Sequence, residues 1–122
     1  MKLASFFAKR GDVAERQAEQ FLKQRGLTCI ARNYRTRRGE IDLIMQDHSV
    51  LVFVEVRLRQ HQGYGGAAGS IDLPKQRRLI AAAEFYLSQL KQIPACRFDV
   101  VLLHKLDDPA IEWVKDAFYA SA

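Results

Sequence analysis

The stretch Gly39-Glu40-Ile41-Asp42-Leu43-Ile44-Met45, followed after a short polar turn by Val50-Leu51-Val52-Phe53-Val54-Glu55-Val56-Arg57-Leu58-Arg59, reads as two strands joined by a hairpin. In the second strand the even positions from Val50 to Val56 are all valine, while the odd positions run Leu51, Phe53, Glu55 and Arg57. Both faces therefore read as buried before one of them turns ionic. A hairpin symmetric about Asp47 and His48 sets Asp42 opposite Phe53 and one pair from Glu55, and residues opposite or diagonal across a ladder share a face. Asp42, Glu55 and Arg57 then stand together, whereas a slip of one residue would send Asp42 to the other side. Two carboxylates beside a cation at a strand end suit a hard divalent ion, Mg2+ or Mn2+, which takes few carboxylates and keeps waters for a phosphate substrate.

The run Gly39 to Ile44, then Phe53-Val54-Glu55-Val56-Arg57, resembles the PD-(D/E)XK nuclease superfamily, with Asp42 as its first acid, Glu55 as its second, and Arg57 where that motif has lysine. Together with Gly11-Asp12-Val13-Ala14-Glu15-Arg16 and Arg97-Phe98-Asp99-Val100-Val101, it makes nearly the whole chain similar to the YraN-like bacterial proteins, an uncharacterised family that resembles archaeal Holliday-junction resolvases. The resemblance implies a restriction-endonuclease-like core and a Mg2+ or Mn2+ site on Asp42 and Glu55. It implies that Glu15 is the helical glutamate completing that site, and that the partner is DNA, branched or otherwise structured. Two departures stand out: Ile41 replaces the motif's proline and Arg57 its lysine. Arginine offers charge and fixed donors but does not readily deprotonate water, since guanidinium keeps its proton up to about pH 12.

Composition sets the outer bounds. At 122 residues, 48% of them hydrophobic, the chain has the length of one domain, residues 1–122, with its own core. A net charge of +5 and a pI near 9.5 favour polyanionic partners but also fit many ordinary proteins. Cys29 and Cys96 form no CxxC and have no histidine partner, so no zinc site is readable, and free thiols suit a reducing cytoplasm. The apolar run Leu3 to Ala8 stops at Lys9-Arg10, too short for a signal peptide or a bilayer span, so a soluble cytoplasmic protein with no membrane partner is expected. His48, His61 and His104 make no coherent triad with serine or cysteine.

Along the chain, Ala14, Ala18, Phe21 and Leu22 recur at helical spacing, with Asp12 as cap and Gly26 as stop. Glu15 and Glu19 lie one turn apart on a charged face; the resemblance singles out Glu15 and leaves Glu19 as a surface residue. Leu27 to Ala31 reads as a strand, and Arg32 to Gly39 as a basic connection. Arg32, Arg35, Arg37, Arg38 and Arg59 would border the acidic site and hold phosphates, with Tyr34 offering a face to a base. The span from Gln60 to Ser70, with Gly63, Gly65, Gly66 and Gly69, reads as a loop without a phosphate-loop signature.

Asp72 and Pro74 start a second helix, reaching about Lys91, whose stripe is Leu79, Ile80, Ala83, Leu87 and Leu90. Its first turns carry Lys75, Arg77 and Arg78, which could grip a backbone, and the resemblance gives Lys75 a further role inside the site. Arg97 to His104 reads as an interior strand; its Asp99 could belong to the acidic site, but the commoner fate of such an aspartate is to partner a nearby arginine. After a turn at Asp107-Asp108-Pro109, Ile111 to Val114 reads as an edge strand, with Trp113, Phe118 and Tyr119 packing.

These readings assemble into an α/β domain: a mixed sheet of about five strands flanked by helices. The leading expectation is a Mg2+-dependent DNA endonuclease acting on branched or structured DNA in repair or recombination; junction cleavage would imply a symmetric homodimer. Asp42, Glu55, Glu15 and Arg57 form its site, and Arg35, Arg37, Arg38, Arg59 and Lys75 its DNA contacts. The alternative is a DNA-binding protein of nuclease fold that cleaves weakly or not at all, for which Arg57 is the best argument. A third is an interaction domain in which Glu55 and Arg57 merely neutralise one another.

Overall fold

The chain runs α1 (Leu3–Gln24), β1 (Thr28–Arg35), β2 (Glu40–Asp47), β3 (Val50–Leu58), α2 (Leu73–Ser88), β4 (Cys96–Leu103) and β5 (Ile111–Phe118). This computed structural model describes residues 3–58, 71–104 and 110–119, with side chains from Asp12 onward. Arg59, the glycine-rich span from Gln60 to Ser70 and the turn at Asp107 to Pro109 lie outside the described residues. The strands form one sheet in the order β1-β2-β3-β4-β5, antiparallel throughout except between β3 and β4. A parallel pair needs a crossover, and the segment carrying α2 supplies it. The result is the expected mixed α/β architecture, consistent with a restriction-endonuclease-like core.

β3 is buried on both faces because each helix covers one. Ala14, Ala18 and Leu22 of α1 pack on Leu43, Met45, Val52, Val54, Val101 and Leu103. Leu79, Ala82 and Ala83 of α2 pack on Ile41, Ile44, Leu51, Phe53, Phe98, Val100 and Phe118. Small residues on both helices let their backbones approach the sheet. A fully buried Phe53 then contributes roughly 1.5–3 kcal/mol through its apolar area. Ile41, where the motif has proline, is fully buried in the α2-side layer.

α1 does not begin at Asp12. It runs through that position from Leu3, so Asp12 lacks the non-helical backbone a cap requires, and its carboxylate instead accepts from Arg16 at 2.8 Å. Its C-terminus is as expected: Gly26 has φ 96°, and Leu27 N–H and Gly26 N–H bond to the Leu22 and Lys23 carbonyls at 3.1 and 3.0 Å. This is a Schellman closure, sealed by the buried Leu22 and Leu27. Asp72 caps α2 by accepting from Lys75 N–H at 2.9 Å, with Pro74 in the first turn. That helix ends at Ser88, short of Lys91. Among the described residues no helix is long and apolar enough to cross a membrane.

β1 extends through Arg35, so Arg32 to Arg35 are strand and the connection is only Thr36 to Gly39. A register shift between Cys29 and Ala31 and a left-handed Asn33 (φ 51°) break the alternation that would have revealed the longer strand. Thr36 holds the turn: its hydroxyl donates to Gly39 O at 2.9 Å and accepts from Gly39 N–H at 3.1 Å. β5 likewise continues past Val114 to Phe118, whose ring stacks on Phe98 at 4.9 Å. Tyr119, expected to pack, is 77% exposed. Asp99 accepts from Arg97 at 3.0 Å, from Trp113 Nε1 at 2.9 Å and from Asp116 N–H at 3.1 Å, the structural role its sequence context suggests.

Candidate metal centre and basic cleft

The β2–β3 hairpin turns at His48 and Ser49, with His48 at φ 55°, so Asp47 pairs with Val50 and Leu43 with Val54. The expected register is therefore off by two residues, and an even slip leaves every side chain on its face. Asp42 and Glu55 lie one step beyond the last of these pairs. There the Asp42 carboxylate replaces a backbone partner, accepting from Val56 N–H at 2.8 Å.

Glu55 is 4% exposed, yet its oxygens are poorly served. Oε2 lies 3.5 Å from both Arg57 Nε and Lys75 Nζ, while Oε1 is buried with no hydrogen-bond partner, as is Arg57 Nε itself. Burial first, then the charge of Asp42 within hydrogen-bonding reach, push the Glu55 carboxyl well above the usual range; Lys75 and Arg57 only partly offset this. From α1, Glu15 approaches the same aspartate. Burial, followed by Asp42's charge, pushes Glu15 up to about 7, opposed by a hydrogen bond from Asn33. Asp42 is thus the shared neighbour of two glutamates arriving from different elements.

The three acids meet through Asp42 rather than around one point: among the described residues no three His, Cys, Asp or Glu side chains form a ligating array. The donor chemistry nevertheless suits a hard divalent cation. Two glutamates pushed up by burial and then by the charge of Asp42, one of them with a buried oxygen lacking a hydrogen bond, are relieved by positive charge.

Beside the acids opens a cleft of about 420 Å3 formed by the β1–β2 turn and the first turns of α2. Arg35, Arg37, Arg38, Lys75 and Arg78 line it, with Glu40 drawing Arg35 to 3.4 Å. Gly39 makes this junction possible, because a Cβ there would collide with the Arg78 carbonyl on α2. Lys75 belongs to both places: it lines the cleft and touches Glu55.

Residues 14–103 match the model of an uncharacterised protein family, UPF0102. The chain belongs to that family. It is 53% identical to a UPF0102 protein of Methylobacillus flagellatus over 90% of this chain and 96% of the relative. It is also 46% identical to one of a Janthinobacterium species over 98% and 100%.

In this UPF0102 chain Glu15, Asp42, Glu55, Arg57 and Lys75 converge, and Arg35, Arg37 and Arg38 face the adjoining cleft. Arg77 is exposed and does not line that cleft. Arg32 turns away: it grips Glu19 through two hydrogen bonds of 2.6 and 2.7 Å, with Lys23 at 2.6 Å from the same carboxylate. Glu19 is consequently not a surface residue but 6% exposed. Tyr34 packs edge-on against Tyr86 at 5.3 Å within the α2-side core, so it is not a free stacking platform. Asn33, a residue without a role in the sequence expectations, hydrogen-bonds Glu15. Its one signal was being an asparagine amid arginines, since asparagine tolerates the left-handed backbone found there.

Proposed function

We propose that this UPF0102 chain is a metal-dependent deoxyribonuclease acting on branched or structured DNA in repair or recombination. The observation that carries the reading is the contrast between Glu55 and the other buried acids among the described residues. Glu19 and Asp99 have their charges matched by short hydrogen bonds. Glu55, although Arg57 and Lys75 flank its other oxygen at 3.5 Å, keeps Oε1 buried without a hydrogen bond beside a second carboxylate, an arrangement that costs about 1–3 kcal/mol.

Asp42 and Glu55 would hold Mg2+ or Mn2+, with Glu15 completing the set, and the ion would supply an activated water and neutralise phosphate charge. Arg57 contributes fixed positive charge toward the scissile phosphate. Lys75, at the same distance from Glu55, adds a compact ammonium charge beside the planar guanidinium. Arg35, Arg37, Arg38 and Arg78 hold the backbone alongside. Symmetric cutting of a four-way junction would take a dimer, and the free thiols of Cys29 and Cys96 suit a cytoplasmic setting.

Calorimetry is the direct test: Asp42→Asn and Glu55→Gln should fold normally and lose most Mg2+ or Mn2+ binding. Undiminished binding in both rejects the site. Arg57, standing where the resembling motif has lysine, favours a second reading, a DNA-binding protein with little cleavage. Single-turnover assays with Mn2+ on linear, flapped and four-way DNA separate the two. Arg57→Lys should cut faster, on the order of tenfold to a hundredfold, at roughly unchanged affinity. If neither parent nor lysine variant cuts any substrate while both bind tightly, the binding reading replaces the nuclease.

A further inference from the structure

Next to the basic cleft lies a second hollow of about 490 Å3, lined by Thr36, Arg37, Arg38, Ala81 and Phe85. It shares Thr36, Arg37 and Arg38 with the cleft, so the two are continuous across the β1–β2 turn. Phe85 is 53% exposed on the outer side of α2 and takes no part in the core cluster beneath that helix. A large aromatic left in water beside two arginines is not explained by folding. Its volume falls in the range of small-molecule sites.

We infer that this hollow receives an unstacked nucleobase of a single-stranded segment whose phosphates lie in the adjoining cleft, an inference that rests on the DNA reading above. Charge selects the occupant. An apolar peptide would gain nothing from Arg37 and Arg38, whereas a nucleotide presents its phosphate to the guanidinium groups and its base to the Phe85 ring. Base–aromatic stacking tolerates any sequence, because every base has a π-face. Bases inside a duplex are already stacked and cannot reach the hollow. The site therefore favours single strands, flaps and junctions over continuous duplex, and so gives the proposed preference for structured DNA a physical source.

Binding of labelled oligothymidine and of blunt duplex by the full chain, followed by anisotropy across a salt series, tests this. Phe85→Ala should weaken oligothymidine binding on the order of tenfold, the effect of losing one stacked base, with duplex affinity and salt slope unchanged. Phe85→Trp should restore it. Arg37→Ala with Arg38→Ala should instead flatten the salt slope for both ligands. Equal binding of oligothymidine by Phe85→Ala and parent overturns the inference while leaving the cleft standing. So does a Phe85→Ala variant that loses only concentration-dependent self-association, since the hollow would then seat a second copy. A parent that binds neither ligand overturns both this inference and the DNA reading.

Discussion

Glu19 and Glu55 are similarly buried, at 6% and 4% exposure, but Glu19 has a short hydrogen bond on each oxygen whereas Glu55 Oε1 has none. Hydrogen bonds from Arg32, then Lys23, outweigh the burial penalty and hold Glu19 down at about 2, against an ordinary value of 4.5. A folded-state pKa below the unfolded one stabilises the fold above the unfolded value, and that contribution disappears as pH falls through the folded one. Glu19→Gln should therefore cost about 1–2 kcal/mol at neutral pH, a figure reduced because Arg32 and Lys23 are about half exposed. Urea titrations from pH 7 downward should show parent and variant converging between about 4.5 and about 2. A gap that stays constant with pH would mean the charge contributes nothing.

At the scale of elements, the turn from Thr36 to Gly39 joins the sheet to α2 and displays the cleft arginines. Replacing Arg35, Arg37 and Arg38 with alanine should flatten the dependence of log affinity for DNA on log salt by close to one unit per lost phosphate contact. Arg32→Ala is the internal control: tied to Glu19, it should leave the slope alone and lower stability instead. A slope that responds to Arg32 and not to the turn would move the DNA surface to the other face of β1. Gly39→Ala tests the junction itself. Its new Cβ meets backbone rather than a flexible side chain, so relief requires moving α2. The expected cost is about 1–3 kcal/mol by thermal melting, with DNA affinity falling more than the lost stability explains. A variant as stable as the parent would show that the turn and α2 part easily.

Across the whole molecule, Asp99 ties three strands together. It binds Arg97 on its own strand, Trp113 and Asp116 on β5, and through Arg97 reaches Asp47 at the hairpin end of β2 at 3.1 Å. Asp99→Asn removes the negative charge at the centre of that network and leaves Arg97 short of a partner, so it should cost about 2–4 kcal/mol in urea unfolding. Divalent-ion binding should not change, because the proposed site draws on other acids. If ion binding falls along with stability, Asp99 belongs to the site and its structural role is secondary.

The sequence by itself determined what acts over a few residues. Valine at alternate positions marked β3 as buried on both faces, Asp72 and Gly26 announced one helix start and one helix end, and two acids at a strand end marked the candidate site. A hairpin register off by two still brought Asp42 beside Glu55, although the alternation of β2 breaks at Asp42, with Ile41 and Ile44 on one side of the sheet and Leu43 on the other. Only the tertiary structure decided which charges meet. Glu15 and Glu19 look alike on one helix, yet one faces Asp42 and the other Arg32. Tyr34 went into the core, Lys75 came to Glu55, and Gly39 made room for Arg78. The reason is physical: capping and alternation are set by neighbours along the chain, whereas the partner of a buried charge is whichever group packing brings within a few ångströms of it, however distant in sequence.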